Sequence, residues 1–347
     1  MPVVKVRFIA LLLSVVLMAG YVCPALAQGL YPPMVWFHIP EYVAHLGRQV
    51  SVVVECSTPK RVPRDNNVFE LRNHRGTVLD RRPWTDPEEY LTFRFTVTQD
   101  LLGGNKLSVW WNGRCVTQNS GYAAFSDPEL MRITRLEPEM PAIALTIVCG
   151  GGSDRHVDQL LAVLDKHQVK CTFFLGGLWL EKNVEAARRI LLHGHELGSH
   201  GYQHVYMTEL SFHQIRNDMM RTNRRCEELL GVRPRLYRAP FSKTDATVTT
   251  LCRAEGMEEV QWNIDSQDWS AAYADKPQQL FKRVTDASLV SGSVIQFHLD
   301  GYHTAEVLDQ AIPFYLNECG YRVVTVSELM ALSGRELPPL PDISPDN

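Results

Sequence analysis

The chain has no surplus of positive charge. Lys and Arg total 35 against 39 Asp and Glu, a formal net charge of −4 at pH 7. That leaves no electrostatic case for nucleic acid or an anionic membrane surface as a partner. It also lacks an apolar run of membrane-spanning length. The nearest is residues 8–22, short of the roughly 20 residues a helical span needs. Internal repeats and low-complexity runs are absent, and a 45% hydrophobic, 21% charged composition is that of ordinary globular domains.

What flanks the short apolar run reads as an export signal. Lys5 and Arg7 precede it; Pro24 and then Ala25-Leu26-Ala27 follow. This pattern predicts a secretory signal peptide over residues 1–27, cut before Gln28, with an uncleaved anchor as the alternative. The expected location is therefore secreted or cell-envelope, with no transmembrane span after cleavage. Cys23 lacks the small preceding residue that lipid attachment favours. Seven cysteines remain past this point, an odd number, so at least one thiol is unpaired within the chain. Cys56 and Cys115, each at the end of a strand-like run, are the candidate bridge.

Two rhythms follow. Over residues 28–136 short runs such as VSVVVEC (50–56), VFELRNHRGTVLD (68–80), LTFRFTV (91–97) and NKLSVWWNG (105–113) are separated by turn residues, with no helical period between them. They predict a small immunoglobulin-like β-sandwich. Trp110 and Trp111 are either a sugar platform or, as is commoner for adjacent aromatics, one core and one half-exposed residue. Over residues 137–333 strands and helices alternate. Seven strands, at 142–149, 171–175, 195–199, 235–238, 259–264, 293–298 and 322–326, predict an α/β fold with a parallel sheet closed or nearly closed into a barrel. Residues 334–347, with four prolines, form a loose tail.

In such barrels chemistry gathers where strands end. The strand ends here offer Cys149; His200 and His204; Arg238 and Pro240; Asp265, Asp268 and Trp269; His298 and Asp300. Two histidines four apart can share a metal or be two surface residues. An Arg or His at a strand end can be a salt bridge or a hydrogen-bonded core group. The glycines after Cys149 are no phosphate loop, because Ser153-Asp154 stand where Lys and Ser or Thr are needed, and no dinucleotide fingerprint, because Arg155 replaces the third glycine.

The runs ALTIVCGG, VKCTFFLGG, GHELGSHGYQH, YRAPF, WNIDSQDW and VIQFH, in this order, make residues 140–333 resemble the NodB-type polysaccharide deacetylase domain of carbohydrate esterase family 4. The resemblance implies a deformed, incomplete (β/α) barrel that removes acetyl groups from an acetylated polysaccharide such as peptidoglycan or chitin. It implies one divalent metal, zinc, held by His200, His204 and a third ligand. It makes Arg238 the brace of the catalytic base, His298 the acid, and Asp265 the carboxylate that orients that acid. Trp269, Pro240 and Phe241 would shape the substrate groove, and His195 would be structural.

One motif departs from the pattern. The family's first motif, T-F-D-D-G, reads Thr146-Ile147-Val148-Cys149-Gly150. Val148 replaces the general base and cannot take a proton. Cys149 replaces the metal-binding aspartate; as a thiolate it can bind zinc, with a nucleophile or a small apolar filler as the alternatives. Substitute bases are Asp154, which can equally cap the following helix, Asp268 and Asp300. Two readings stay open: an exported metal-dependent deacetylase, or a catalytically impaired pseudoenzyme that binds glycan or an envelope partner.

Overall fold

A computed structural model of the chain describes residues 33–38, 41–57, 68–83, 90–119, 121–127 and 132–341. The expected signal peptide lies outside them. None of the described helices is long and apolar enough to cross a membrane.

The N-terminal region is all-β: β1 (Met34–Phe37), β2 (Glu41–His45), β3 (Gln49–Ser57), β4 (Val68–Asn73), β5 (Val78–Pro83), β6 (Tyr90–Thr96), β7 (Gly103–Trp111), β8 (Arg114–Cys115) and β9 (Gly121–Ser126). The sequence builds strands because its apolar residues recur every second position. In β3, Val50, Val52, Val54 and Cys56 are all buried while their neighbours are not. One sheet has the order β1-β3-β6; the other runs β2-β9-β7-β4-β5, with β8 on β7. Trp111 is buried, whereas the Trp110 ring is covered by the Arg72 guanidinium at 4.7 Å. The commoner reading of the aromatic pair therefore holds. Cys56 and Cys115 are both free thiols, one buried and one exposed.

The chain divides into two compact units, the first taking residues up to 123 except 43–46 and 98–104. Residues 124–136 go with the second unit. Ile133 forms a bridge to Val260, donating its N–H to the Glu259 carbonyl at 2.8 Å and accepting from Gln261 N–H at 2.7 Å.

The second unit alternates strands and helices: β10 (Ala142–Cys149), α1 (Val157–Lys166), β11 (Thr172–Leu175), α2 (Gly177–Lys182), α3 (Val184–Leu192), β12 (Glu196–Ser199), α4 (Phe212–Leu230), β13 (Leu236–Tyr237), α5 (Ala246–Ala254), β14 (Glu258–Glu259), β15 (Ile264–Asp265), α6 (Pro277–Val284), β16 (Val294–His298), α7 (Thr304–Pro313), β17 (Arg322–Val324) and α8 (Val326–Leu332). The eight strands make one parallel sheet of order β14-β13-β12-β11-β10-β16-β15, with β17 also on β10. This is the curled half-barrel expected, with one difference. The single strand expected over 259–264 is two short ones at opposite ends of the strand order. Residues 260–263 cross between the two ends and take partners elsewhere, Val260 and Gln261 on Ile133 and Asn263 on Val294.

Central strand β10 is buried along its whole length, as a strand covered on both faces should be. Ile143, Leu145, Ile147 and Cys149 pack into a cluster that includes Leu160, Leu164, Trp179, Leu308 and Ile312 from the helices. Ala142, Ala144 and Val148 face the other way, with Phe174, Leu236, Val294 and Val324.

Ile133 is 1% exposed in this second cluster. Ile133→Ala is expected to lower stability by about 2–5 kcal/mol in a urea melt, the usual cost of a large-to-small core change. A loss below about 0.5 kcal/mol, the range of a surface substitution, would show that the segment before 137 is only a linker.

Candidate active site

The C-terminal ends of the parallel strands open into a cavity of about 670 Å³. It gathers Val148 and Gly150 from β10 and its exit, His200 and His204 after β12, Phe241 after β13, Asp265 and Trp269 from β15 and its exit, and Gln296, His298 and Asp300 from β16 and its exit. Phe241 and Trp269 are 50% and 58% exposed, two aromatic faces at the mouth. Pro240 is buried at the start of the turn that presents Phe241, and does not itself line the cavity.

His200 is buried, and its Nδ1 lies 2.9 Å from the Arg238 carbonyl oxygen. A carbonyl only accepts, so Nδ1 carries the proton and Nε2 keeps its lone pair. Burial, then the neighbouring His204, pull the His200 pKa well below the ordinary value. The His204 ring sits 5.1 Å from that of His200 and 4.5 Å from Phe241. His204 adopts a left-handed backbone, φ 56°, in the tight turn that brings it back over the strand end.

His298 pairs with a carboxylate, and it is not the one expected. Asp268 Oδ1 lies 2.7 Å from His298 Nδ1, and Asp268 Oδ2 accepts from the His298 backbone N–H at 2.9 Å and from the Thr304 hydroxyl at 2.7 Å. Asp265, expected in that place, instead accepts from Gln267 N–H at 2.9 Å and lines the cavity. Strand register is the reason. Asp265 pairs with Gln296, two residues short of His298. The chain then reverses through Gln267, φ 57°, and carries Asp268 beneath the imidazole. Gly301 leaves the room: a Cβ there would lie 2.3 Å from Asp268 Oδ2.

Arg238 is wholly buried. Its Nε donates to Val260 O at 3.0 Å, Nη1 to Thr146 Oγ1 at 2.9 Å and Gln296 Oε1 at 3.3 Å, and Nη2 to Gln261 O at 3.1 Å. Every one of these acceptors is neutral. Burial pulls its pKa down to about 9, opposed by the charge of Asp265.

Comparison with known proteins bears on the second unit as a whole. The polysaccharide deacetylase family model matches residues 137–260. The chain is 34% identical over 193 residues to the uncharacterized protein YlxY of Bacillus subtilis and 29% identical over 198 residues to the peptidoglycan-N-acetylglucosamine deacetylase PgdA of Listeria monocytogenes. These alignments cover 56% and 55% of this chain and 58% and 41% of the relatives, so the chain spans about half the length of the curated relatives it matches. The structure of the Bacillus subtilis peptidoglycan deacetylase PdaC superposes with TM-score 0.51 at 27% identity, covering 57% of this chain and 94% of that one. A mutant of a Bacillus anthracis family 4 pseudoenzyme, with restored enzymatic activity, superposes with TM-score 0.54 at 25% identity, covering 66% and 86%. Residues 137–260 of this chain thus match the polysaccharide deacetylase family.

Against that family's first motif, Cys149 is the second correction. The pleat of β10 runs on through residue 149, which pairs in register with Leu175. Alternation therefore turns the Cys149 side chain away from the cavity, into the helix-facing core beside Trp179 and Leu180. Burial, then the charge of Asp300, pushes its pKa well above the ordinary thiol value. The position that faces the imidazoles is Gly150, where a Cβ would sit 3.0 Å from His204 Nε2 and 3.5 Å from His200 Cδ2. Among the described residues no group of three or more His, Cys, Asp or Glu is placed to hold a metal ion. Deacetylases of this family are generally metal-dependent. Among the described residues the side chains that face this position are the two imidazoles of His200 and His204.

His195 stays out of the cavity. It is 3% exposed, accepts from Cys171 N–H through Nδ1 at 3.3 Å and meets Phe173 edge-on. Asp154 does not line the cavity either; the residue flanking α1 is His156, and Asp154 contributes its carbonyl to Val157 N–H. Trp262, Ser242 and Gln296 line the cavity without having been anticipated. Trp262, two residues before a two-residue strand, carried no periodic signal.

Two outcomes test this description. A thiol reagent should label exposed Cys115 rapidly and leave Cys149 unlabelled until denaturant is added, with or without zinc; protection of Cys149 that depends on zinc would reinstate it as a ligand. Burial holds the His195 pKa at about 4, against 6.5 for the free group. The unfolded chain therefore binds this proton first, and the stability is complete above pH 6.5 and lost as pH falls toward 4, by up to about 1.4 kcal/mol per unit. The loss of ΔG between pH 7 and pH 5 should shrink in His195→Gln; an unchanged loss would show that His195 is protonated in the fold.

Proposed function

We propose that this chain is exported, as residues 1–27 suggest, and acts on acetylated polysaccharide of the cell envelope as a slow deacetylase. The observation that carries the reading is the His298–Asp268 pair, at 2.7 Å, facing the same cavity as His200 and His204. The acetamide lies between the Trp269 and Phe241 faces. His298 gives its proton to the leaving amine, and the buried Asp268 carboxylate keeps Nδ1 protonated, the ring oriented and the imidazolium stabilised. His200 is held neutral and directional by the Arg238 carbonyl. His200 and His204 are the residues that would hold the family's metal, which would supply a more acidic water. The weak point is Val148, 3% exposed on the cavity floor, where the family places its base.

That same residue favours the second reading, a pseudoenzyme that binds glycan without hydrolysing it. The Bacillus anthracis relative described above belongs to that class.

One experiment separates the two. Acetate release from an N-acetylglucosamine pentaose is measured beside binding by calorimetry, for wild type and Val148→Asp. The deacetylase reading expects binding by both, slow release by wild type, and an increase of at least about tenfold in the variant, since general-base help is worth roughly 10²–10⁴. Binding without release by wild type would establish the pseudoenzyme, and absence of binding would remove both.

A further inference from the structure

We propose that Asp300 supplies the carboxylate that position 148 no longer provides, taking the proton of the attacking water in the deacetylation inferred above, and that Gly151 is glycine to admit it. Of the acidic groups at the cavity, Asp268 is committed to His298 and Thr304. Asp265 accepts from Gln267. Asp300 lines the cavity, is exposed, and has no hydrogen bond or ion pair among the described residues. It is the carboxylate there with both oxygens uncommitted.

The loop after the neighbouring strand β10 is shaped around it. A Cβ on Gly151 would stand 2.2 Å from Asp300 Oδ2 and 3.0 Å from its Cγ, inside any possible contact. Gly151 is not among the glycines with positive φ, so the backbone does not require glycine there. What the missing side chain provides is space, and Asp300 fills it. The neighbouring Gly150 makes the same concession to His204 and His200. The charge of Asp300 also reaches His204, whose protonation it favours against burial. A carboxylate lost from the end of β10 is thus matched by one delivered from the exit of β16, the strand beside it.

The chemistry closes. A water oxygen attacks the acetamide carbonyl carbon while Asp300 takes one water proton. The carbon–nitrogen bond breaks as protonated His298 gives its proton to the nitrogen. Acetic acid and the free amine leave, and the proton on Asp300 passes to His298, which restores the starting state.

The test uses the full chain and the N-acetylglucosamine pentaose, with acetate release and calorimetric affinity read together. Asp300→Asn changes one exposed group and should lower release at least about tenfold with affinity within about twofold. Gly151→Ala, which must displace the carboxylate, should act in the same direction. In the Val148→Asp background, where a base is back on β10, Asp300→Asn should cost under about threefold, because the two carboxylates then serve one role. Wild-type release unaffected by Asp300→Asn would overturn this proposal alone. A wild type that binds and releases nothing would overturn it together with the deacetylase reading.

Discussion

The buried guanidinium of Arg238 is the constraint on which the rest of the site depends. Its side chain reaches Thr146 on β10, Gln296 on β16 and the carbonyls of Val260 and Gln261, where the chain crosses between the two ends of the sheet. Its backbone N–H donates to Ser199 of β12, and its carbonyl fixes His200. A single residue therefore ties β10, β12, β16 and the crossing segment, and sets the tautomer of an imidazole above them. The cost is a cation taken out of water, normally offset by a carboxylate. Here no carboxylate touches it: the offset comes from neutral acceptors at about 3 Å, from stacking on Phe174 at 4.1 Å and from the more distant charge of Asp265.

The pleat of β10 explains why the altered first motif reads so differently in sequence and in space. Along the sequence Val148 and Cys149 look like two equivalent losses from one site. On the strand they are opposite faces: Val148 looks into the cavity and Cys149 into the helix-packed core. The thiol is then an apolar filler, one of the alternatives its sequence context allowed. The place it was expected to fill belongs to Gly150. The glycines have ordinary backbone angles and are best understood as surrendered volume, first to the histidines and then to Asp300.

Much of the second unit was legible because its signals are long. Alternating strands and helices, turn residues and the order of the short motifs placed six of the seven expected strands and most of the cavity residues. What failed was short-range geometry. The break of one expected strand into β14 and β15 depends on pairing with Ile133, far away in sequence. The choice between Asp265 and Asp268 as the partner of His298 depends on a register between β15 and β16 and on one left-handed residue, Gln267. Gly301, which makes room for Asp268, was a cue present in the sequence, but its meaning needs the neighbour to be known.

The residues that look catalytic do not all argue equally for catalysis. Arg238 would be needed for the sheet even if no substrate were ever bound, since its donors hold strands and not a base. The same holds in part for Asp268, which organises the loop from His298 to Thr304. The aromatic mouth is different. Phe241 is half exposed, with φ 56°, and Trp269 is more exposed still. A bulky residue with positive φ is strained, and two large apolar faces turned to water contribute little to a core. Phe241 also rests on the His204 and Tyr206 rings, at 4.5 and 4.6 Å between centroids. Hydrolysis makes a further demand, a carboxylate to take a proton from water, and β16, the strand beside β10, brings Asp300 against Gly151.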